Sequence, residues 1–375
     1  MAGIYVHVPF CKKACNYCNF HFSTSMGQLD AMVEAILTEA MLRKNYLEGD
    51  LVNTIYFGGG TPSLLPVEDI KKILAQLYST QQILPDTEIT LEANPDDITN
   101  EKLGDWIAAG INRLSIGVQS FFDDDLVWMN RAHTATQAAN CIAMARQNGF
   151  SNLTIDLIYG TPTLTDEQWK HNVTTAVALG VPHLSCYALT VEPNTALHYS
   201  IKNNNAANVD VEKQARHFEL LVQWLEALGY EQYEISNFAL PGWQSRHNSS
   251  YWKGKKYLGL GPSAHSFNVD TRQWNVANNI QYINGLSKGH VPFEVETLTE
   301  SQQLNEYIMI SLRTSKGIDL PFIKTRFGSV VHDALLHTAR YKMLAHNVLI
   351  TNNVIVLTPS GRLLADGIAA DLFQV

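Results

Sequence analysis

From residue 4 to residue 236 the chain repeats one unit: a short β-type run, a turn, a longer amphipathic segment and, in most repeats, a glycine. The β-type runs are Ile4–Val8, Thr54–Phe57, Glu88–Ala93, Arg113–Gln119, Asn152–Ile158, His183–Ala188 and Glu231–Ser236. Helical patterns fill the intervals at Ala31–Tyr46, Val67–Tyr78, Asn100–Ala109, Thr134–Asn148, Asp166–Leu179 and Val211–Leu228. Gly110, Gly149, Gly180 and Gly229 stand where these helices stop, the position that favours left-handed backbone. Strands joined through helices this regularly pair in parallel, because a hairpin cannot join parallel neighbours. About seven such units point to a barrel or open barrel. In that fold the chemistry belongs at the C-terminal ends of the strands.

The chain's 375 residues, 46% hydrophobic and 17% charged, suffice for a barrel and a smaller module. Residues 237–296 break the rhythm and read as an accessory segment over the barrel that occupies 1–236. Residues 297–375 read as a small C-terminal winged-helix-like module. Its helical patterns are Glu300–Arg313, Leu320–Phe327, Val330–His346 and Ser360–Phe373, with a hairpin in Val348–Thr358 turning at Asn352-Asn353. Winged helices often bind nucleic acid, but 27 Lys+Arg against 36 Asp+Glu leave the chain at net charge -9, with no dense basic patch in this region. Nucleic acid is therefore not an expected partner. Residues 2–10 already read as a strand, not a signal peptide, and no run approaches the roughly 18 apolar residues of a membrane span. The expectation is a cytoplasmic protein with reduced thiols.

Three of the five cysteines, Cys11, Cys15 and Cys18, fall in the loop directly after the first strand; Cys141 and Cys186 read as core residues. Thiolates suit zinc or iron–sulfur iron. Zinc wants four ligands, which His7 or His21 would complete. A cluster held by three thiolates leaves one iron open. Residue types alone leave both readings standing.

Further motifs lie at the strand ends. Gly58-Gly59-Gly60-Thr61-Pro62 follows the second strand, where glycines allow close backbone approach. Glu92 and Gln119 end the third and fourth strands. Asp156 lies among apolar residues of the fifth, where a buried carboxylate needs partners. Arg131, in Met-Asn-Arg-Ala-His, suits a bidentate carboxylate pair or a surface salt bridge.

Taken in order, Tyr5-Val-His-Val-Pro-Phe-Cys11, the glycine loop, Gly117-Val-Gln-Ser-Phe121 and Asp156-Leu-Ile-Tyr-Gly-Thr-Pro162 resemble the oxygen-independent coproporphyrinogen III oxidase family of the radical S-adenosylmethionine (SAM) superfamily. The resemblance covers nearly the whole chain. It implies an α/β fold, a partial (β/α) barrel of radical SAM type. It implies a [4Fe-4S] cluster on Cys11, Cys15 and Cys18, whose free iron takes the amino and carboxylate groups of SAM. Carried over residue by residue, SAM-binding positions fall on Gly59, Gly60, Thr61, Glu92, Gln119, Arg131 and Asp156. Tyr5 and Tyr17 match positions packed by the cofactor, and Ala188 and His265 match weaker contacts at the barrel mouth. No catalytic side chain is assigned.

The family divides into oxidases, which decarboxylate two propionates of coproporphyrinogen III, and a heme-chaperone branch, which binds heme and delivers it to accepting proteins. Oxidases typically carry Cys-x-Cys where this chain has Cys18-Asn-Phe20, and usually a longer N-terminal arm. Arg246-His247-Asn248-Ser-Ser-Tyr251-Trp252 resembles the chaperone branch's motif. The resemblance therefore implies a heme chaperone, with heme as cargo, heme-accepting proteins as partners and an electron donor as a further one. His247 is then a candidate axial ligand. Trp243, Tyr251 and Trp252 would meet the porphyrin face, and Arg246, Lys253, Lys255 and Lys256 its propionates. Read from residue types alone, the same stretch is an ordinary loop packed on the barrel.

Overall fold

The structure is a computed structural model describing residues 1–374. Six parallel strands form its centre: β1 (Ala2–Val8), β2 (Val52–Gly59), β3 (Ile83–Ala93), β4 (Arg113–Gln119), β5 (Leu153–Tyr159) and β6 (His183–Ala188). They are neighbours in chain order, as right-handed βαβ crossovers dictate. Gly110, Gly149, Gly180 and Gly229 take positive φ just past helix ends, so the glycine punctuation marks true helix stops.

Alternation along the strands separates two faces. Ile4, Val6, Val8, Ile55, Phe57, Leu91, Leu114, Ile116, Leu153, Ile155, Leu157 and Leu184 belong to one large apolar core. The intervening residues line the concave side and are mostly polar: Tyr5, His7, Thr54, Tyr56, Glu88, Glu92, Arg113, Ser115, Asp156, His183 and Ser185. A barrel with such an interior is built to receive something polar. Cys141 and Cys186 lie buried in the apolar core, as their surroundings in the sequence imply.

Three expectations are corrected. The run Glu231–Ser236 is not a seventh parallel strand. It splits into β7 (Glu231–Gln232) and β8 (Asn237–Ala239), which pair antiparallel with each other, and β8 pairs antiparallel with β6. Much of the segment expected over the barrel instead continues the sheet beyond β1. There β9 (Tyr257–Leu260), β10 (His265–Phe267), β11 (Thr271–Asn275) and β12 (Phe293–Thr297) follow in order to complete twelve strands. Only β9 is parallel to β1; the rest form an antiparallel meander. The terminal helical pattern divides into Pro359–Arg362 and Ala365–Leu372.

The C-terminal residues gather around their own apolar cluster, with helices Glu300–Leu312, Leu320–Phe327 and Ser329–Leu344 against a three-stranded sheet. In that sheet β13 (Ile318–Asp319) and β14 (Val348–Thr351) flank β15 (Val354–Leu357). Asn352 and Asn353 both adopt positive φ in the β14–β15 turn, as a two-residue hairpin loop requires. Among the described residues no helix is long and apolar enough to cross a membrane.

Candidate functional site

The strand ends and the cysteine loop meet at the C-terminal mouth of the barrel. Cys11, Cys15 and Cys18 are each partly exposed on one loop. Thr61 Oγ1 lies 3.5 Å from Cys11 Sγ, and Arg131 Nη1 donates to Cys15 Sγ at 3.2 Å. Burial pushes the Cys11 thiol up to about 11 and raises Cys18 as well, so both stay protonated at neutral pH until a metal displaces the proton. Among the described residues no three His, Cys, Asp or Glu side chains converge as one metal ion would require. Three thiolates on a four-iron cluster serve three different irons and have no need to converge. The histidines that would complete a zinc site are engaged. His7 Nε2 donates to the His21 carbonyl at 2.9 Å and its Nδ1 faces Tyr5 Oη at 3.2 Å, while His21 Nε2 lies 2.7 Å from Asn279 Oδ1. The donor set fits a cluster better than zinc.

The glycine loop has a reason of its own. A Cβ on Gly59 would lie 2.5 Å from the His7 ring, on a backbone at φ +108°. One on Gly60 would lie 2.6 Å from the Phe10 carbonyl oxygen, and one on Gly58 would lie 2.8–2.9 Å from the Tyr56 and Tyr5 rings. The close approach expected of these glycines is to the chain itself. All three are glycine because the loop is pressed against β1 and the cysteine loop. Its N–H groups are used internally: Gly59 N donates to Glu92, Gly60 N to the Val8 carbonyl and Thr61 N to the Phe10 carbonyl. What this loop can offer a ligand is carbonyl oxygens.

Glu92 is held by the Tyr56 hydroxyl at 2.7 Å and by Gly59 N at 3.1 Å. Burial nevertheless pushes its carboxyl up to about 7, outweighing those hydrogen bonds, and the nearby Asp156 carboxylate adds to the rise. Asp156 is pushed up to about 6, again by burial, with Ser185, Arg113 and Arg131 pulling the other way. Two carboxyls this destabilised as anions are matched by a cationic, hydroxyl-bearing ligand. Between them, β4 carries a bulge: Gly117 pairs with Asp156, but it is Gln119 that pairs with the next residue, Leu157. Gln119 takes φ +67°, left-handed backbone that a non-glycine residue adopts only under constraint, and the bulge re-aims its side chain.

Arg131 is no surface salt bridge. Its Nη2 donates to Asn94 Oδ1 at 2.7 Å and to the Gly117 carbonyl at 2.8 Å, while its buried Nε has no partner among the described residues. An unsatisfied guanidinium N–H beside the cysteine loop suits an anionic group such as a carboxylate. Tyr5 stacks on Tyr56 with ring centroids 6.1 Å apart. Tyr17 packs with Leu126, Met129 and Ile158 beneath the loop. Ala188 ends β6, partly exposed. His265 lies apart from this row: it is exposed on β10, with its ring 6.2 Å from that of Trp274.

His247 contradicts its expected role. Its side chain lies inside the opposite, N-terminal end of the barrel and is 1% exposed. Nδ1 lies 2.9 Å from Thr54 Oγ1 and Nε2 lies 2.9 Å from Tyr251 Oη, so neither nitrogen is open to iron. Arg246, expected to meet propionates, reaches the carbonyls of Asp86 and Asn53 near the starts of β3 and β2. The helix Arg246–Trp252 closes the floor of the barrel.

Sequence reasoning missed Tyr56, Asn94 and Arg113. Tyr56 and Asn94 position Glu92 and Arg131, and both were detectable as polar residues in the concave-facing register or just past a strand end. Arg113 is 1% exposed with Nε and Nη2 unpartnered among the described residues, so its charge is spent on the carboxyls of the lumen. An arginine opening an otherwise apolar run was its signal.

Residues 5–176 match the radical SAM superfamily. The chain is 34% identical over 372 residues to the heme chaperone HemW of Bacillus subtilis, covering 98% of this chain and 97% of that protein. It is 35% identical over 381 residues to HemW of Mycobacterium tuberculosis, covering 99% and 94%. The solved structure of the coproporphyrinogen III oxidase HemN from Escherichia coli, a radical SAM enzyme, has a TM-score of 0.87 to this fold. The match covers 100% of this chain and 90% of that chain at 25% identity.

Proposed function

Because the chain belongs to the heme chaperone HemW family within the radical SAM superfamily, we propose that it binds a [4Fe-4S] cluster and SAM at the barrel mouth and carries heme to accepting proteins. The observation that carries the choice of chaperone is whole-length similarity to HemW proteins at 34–35%, against 25% to the oxidase. The replacement of a loop-closing cysteine by Phe20, which stands 68% exposed, supports the same choice.

Cys11, Cys15 and Cys18 would hold the cluster, which when bound supplies an open iron and one-electron reducing power. Around it the chain's own groups have separate tasks. Arg131, already directed at Cys15, offers its free Nε–H to the SAM carboxylate. The carbonyls of Gly59 and Gly60, with the Thr61 hydroxyl, face the amino group. Glu92 balances the positive charge of SAM, Asp156 and Gln119 receive ribose hydroxyls and adenosine edges, and Tyr5, Tyr17 and Ala188 close the apolar sides.

This reading sets a pH dependence. Below about pH 7 a cation can pair with Glu92 only after displacing its proton. Glu92's share of SAM affinity therefore rises about tenfold per pH unit up to that point and levels off above it, on top of the rise from the SAM amino group, which sheds its own proton to reach iron. Isothermal titration across this range measures the profile, and Glu92→Gln makes it shallower below pH 7. A variant profile as steep as the wild type's would remove Glu92 from the cation site.

Anaerobic reconstitution tests the function itself. Given SAM and a reductant, the protein leaves coproporphyrinogen III unchanged but binds added heme stably. Decarboxylated porphyrinogen would establish the oxidase reaction in its place.

A further inference from the structure

Two lysines follow Cys11, and the first of them, Lys12, reaches out of the loop that carries it. Its Nζ pairs with Asp96 Oδ2 at 2.8 Å and with Asp97 Oδ1. Both aspartates belong to one short turn, Pro95–Asp97, directly after β3. An ion pair between two exposed side chains stabilises little. This one differs at one end: the Lys12 side chain is 43% exposed, that of Asp97 only 1%. A buried carboxylate needs its counter-charge, so the pair is costly to break. The other oxygen of Asp97 accepts from Ser63 Oγ at 2.8 Å, just past the glycine loop.

The same stretch of chain also reaches the far wall of the cysteine loop. Asn94, immediately before the turn, accepts from Arg131 Nη2 at 2.7 Å and donates to Thr61 Oγ1 at 3.3 Å. Arg131 in turn donates to Cys15 Sγ, and Thr61 Oγ1 lies against Cys11 Sγ. On that wall Lys13 Nζ donates to the Arg131 carbonyl at 3.3 Å, and Asn130 Nδ2 to the Ala14 carbonyl at 2.7 Å. Residues 94–97 thus hold the loop at Lys12 directly and at Cys11 and Cys15 through one intermediary each.

Three thiols that serve one rigid cluster must keep a set spacing. A loop ordered only on binding loses affinity to the entropy of its ordering, and a loop already held does not. We propose that Lys12 is a positioning residue: its pairing with Asp96 and Asp97 holds the cysteine loop at the spacing the cluster needs and slows the cluster's loss. It acts through the loop backbone beside Cys11, as the near anchor opposite the Arg131 wall.

This inference rests on the cluster reading, and one experiment separates the two. The anaerobically reconstituted full chain is mixed with an excess of the ferrous chelator bathophenanthroline disulfonate, and the decay of the cluster's visible absorbance is timed. Melting temperatures are taken on the same chains before reconstitution. Lys12→Met sheds its cluster about tenfold faster than the wild type, and Lys12→Arg, which keeps the charge, stays near the wild-type rate. Lys12→Met also leaves Asp97 buried without its counter-charge, so its melting temperature falls. Lys12→Met/Asp97→Asn removes that charge and regains the melting temperature, yet still sheds the cluster at the fast rate, because no ion pair holds the loop. A double variant that regains both would show that the pair serves stability alone and overturns the positioning role. Decay of Lys12→Met at the wild-type rate overturns it too and leaves the cluster reading intact. A wild type that retains no iron after reconstitution overturns the cluster reading, and this inference with it.

Discussion

Cys15→Ser leaves the reconstituted protein colourless and brings its bound iron to background. Of the three cysteines, Cys15 is the one that Arg131 contacts directly, Nη1 donating to its sulfur at 3.2 Å. Serine keeps the size but replaces a soft sulfur ligand with a hard hydroxyl that stays protonated near neutral pH. Two thiolates then remain for three irons. On the proposed reading SAM is held partly through the cluster, so SAM binding falls as well, whereas Cys141→Ala, altering a cysteine buried in the apolar core, leaves iron content unchanged. Iron analysis and the visible spectrum read both variants together. Full iron and an unaltered spectrum in Cys15→Ser would end the cluster assignment.

The parallel half of the barrel was legible because its two signals agree. Apolar alternation marks the strands, and glycines at left-handed helix stops mark the turns. Glu92 and Gln119 at strand ends, Asp156 inside an apolar strand and Arg131 just past a helix drew notice as polar residues in unusual places, but residue type alone left each an ordinary alternative, and it was the family resemblance that assigned all four to one ligand. The meander was less legible. Its strands β9 to β12 are three to five residues long and mix Trp, Asn and Gly, so neither period dominates. The pairing of β9 with β1 spans about 250 residues of chain and has no local sequence signal. Reading Glu231–Ser236 as one strand failed for a similar reason: Tyr233–Ser236 forms the turn between two short antiparallel pieces, with Glu234 buried and bonded to Asn237.

The hardest feature to read was His247, since burial cannot be seen in a seven-residue polar helix. A motif rich in His, Tyr and Trp suggests a ligand site whether its rings face a ligand or one another. Here they face one another. The His247 ring stacks on Tyr56 at 5.0 Å, meets Tyr251 edge-on at 5.0 Å and lies against Gly3, where a Cβ would come within 3.3 Å. The helix that carries it begins on the Glu88 carboxylate, which accepts from the backbone N–H groups of Arg246 and His247.

His247→Ala should accordingly act on stability and not on heme. The substitution empties a packed site and leaves the hydroxyls of Thr54 and Tyr251 without their shared partner, a loss of about 3 kcal/mol at neutral pH. The melting temperature falls by roughly 5 °C or more. The pH dependence identifies the cause. Burial holds the folded imidazole's pKa down to about 3, well below its unfolded value near 6.5. The unfolded chain therefore binds the extra proton first, so the wild type loses this histidine's contribution as pH falls below about 6.5. The variant has no such contribution to lose. Its deficit is largest at neutral pH and narrows toward about pH 4, which calorimetry at several pH values measures directly. Hemin titration of the same variant gives the complementary reading: binding persists. An unchanged melting temperature together with a lost Soret band would return His247 to the role of heme ligand and would require the barrel floor to open.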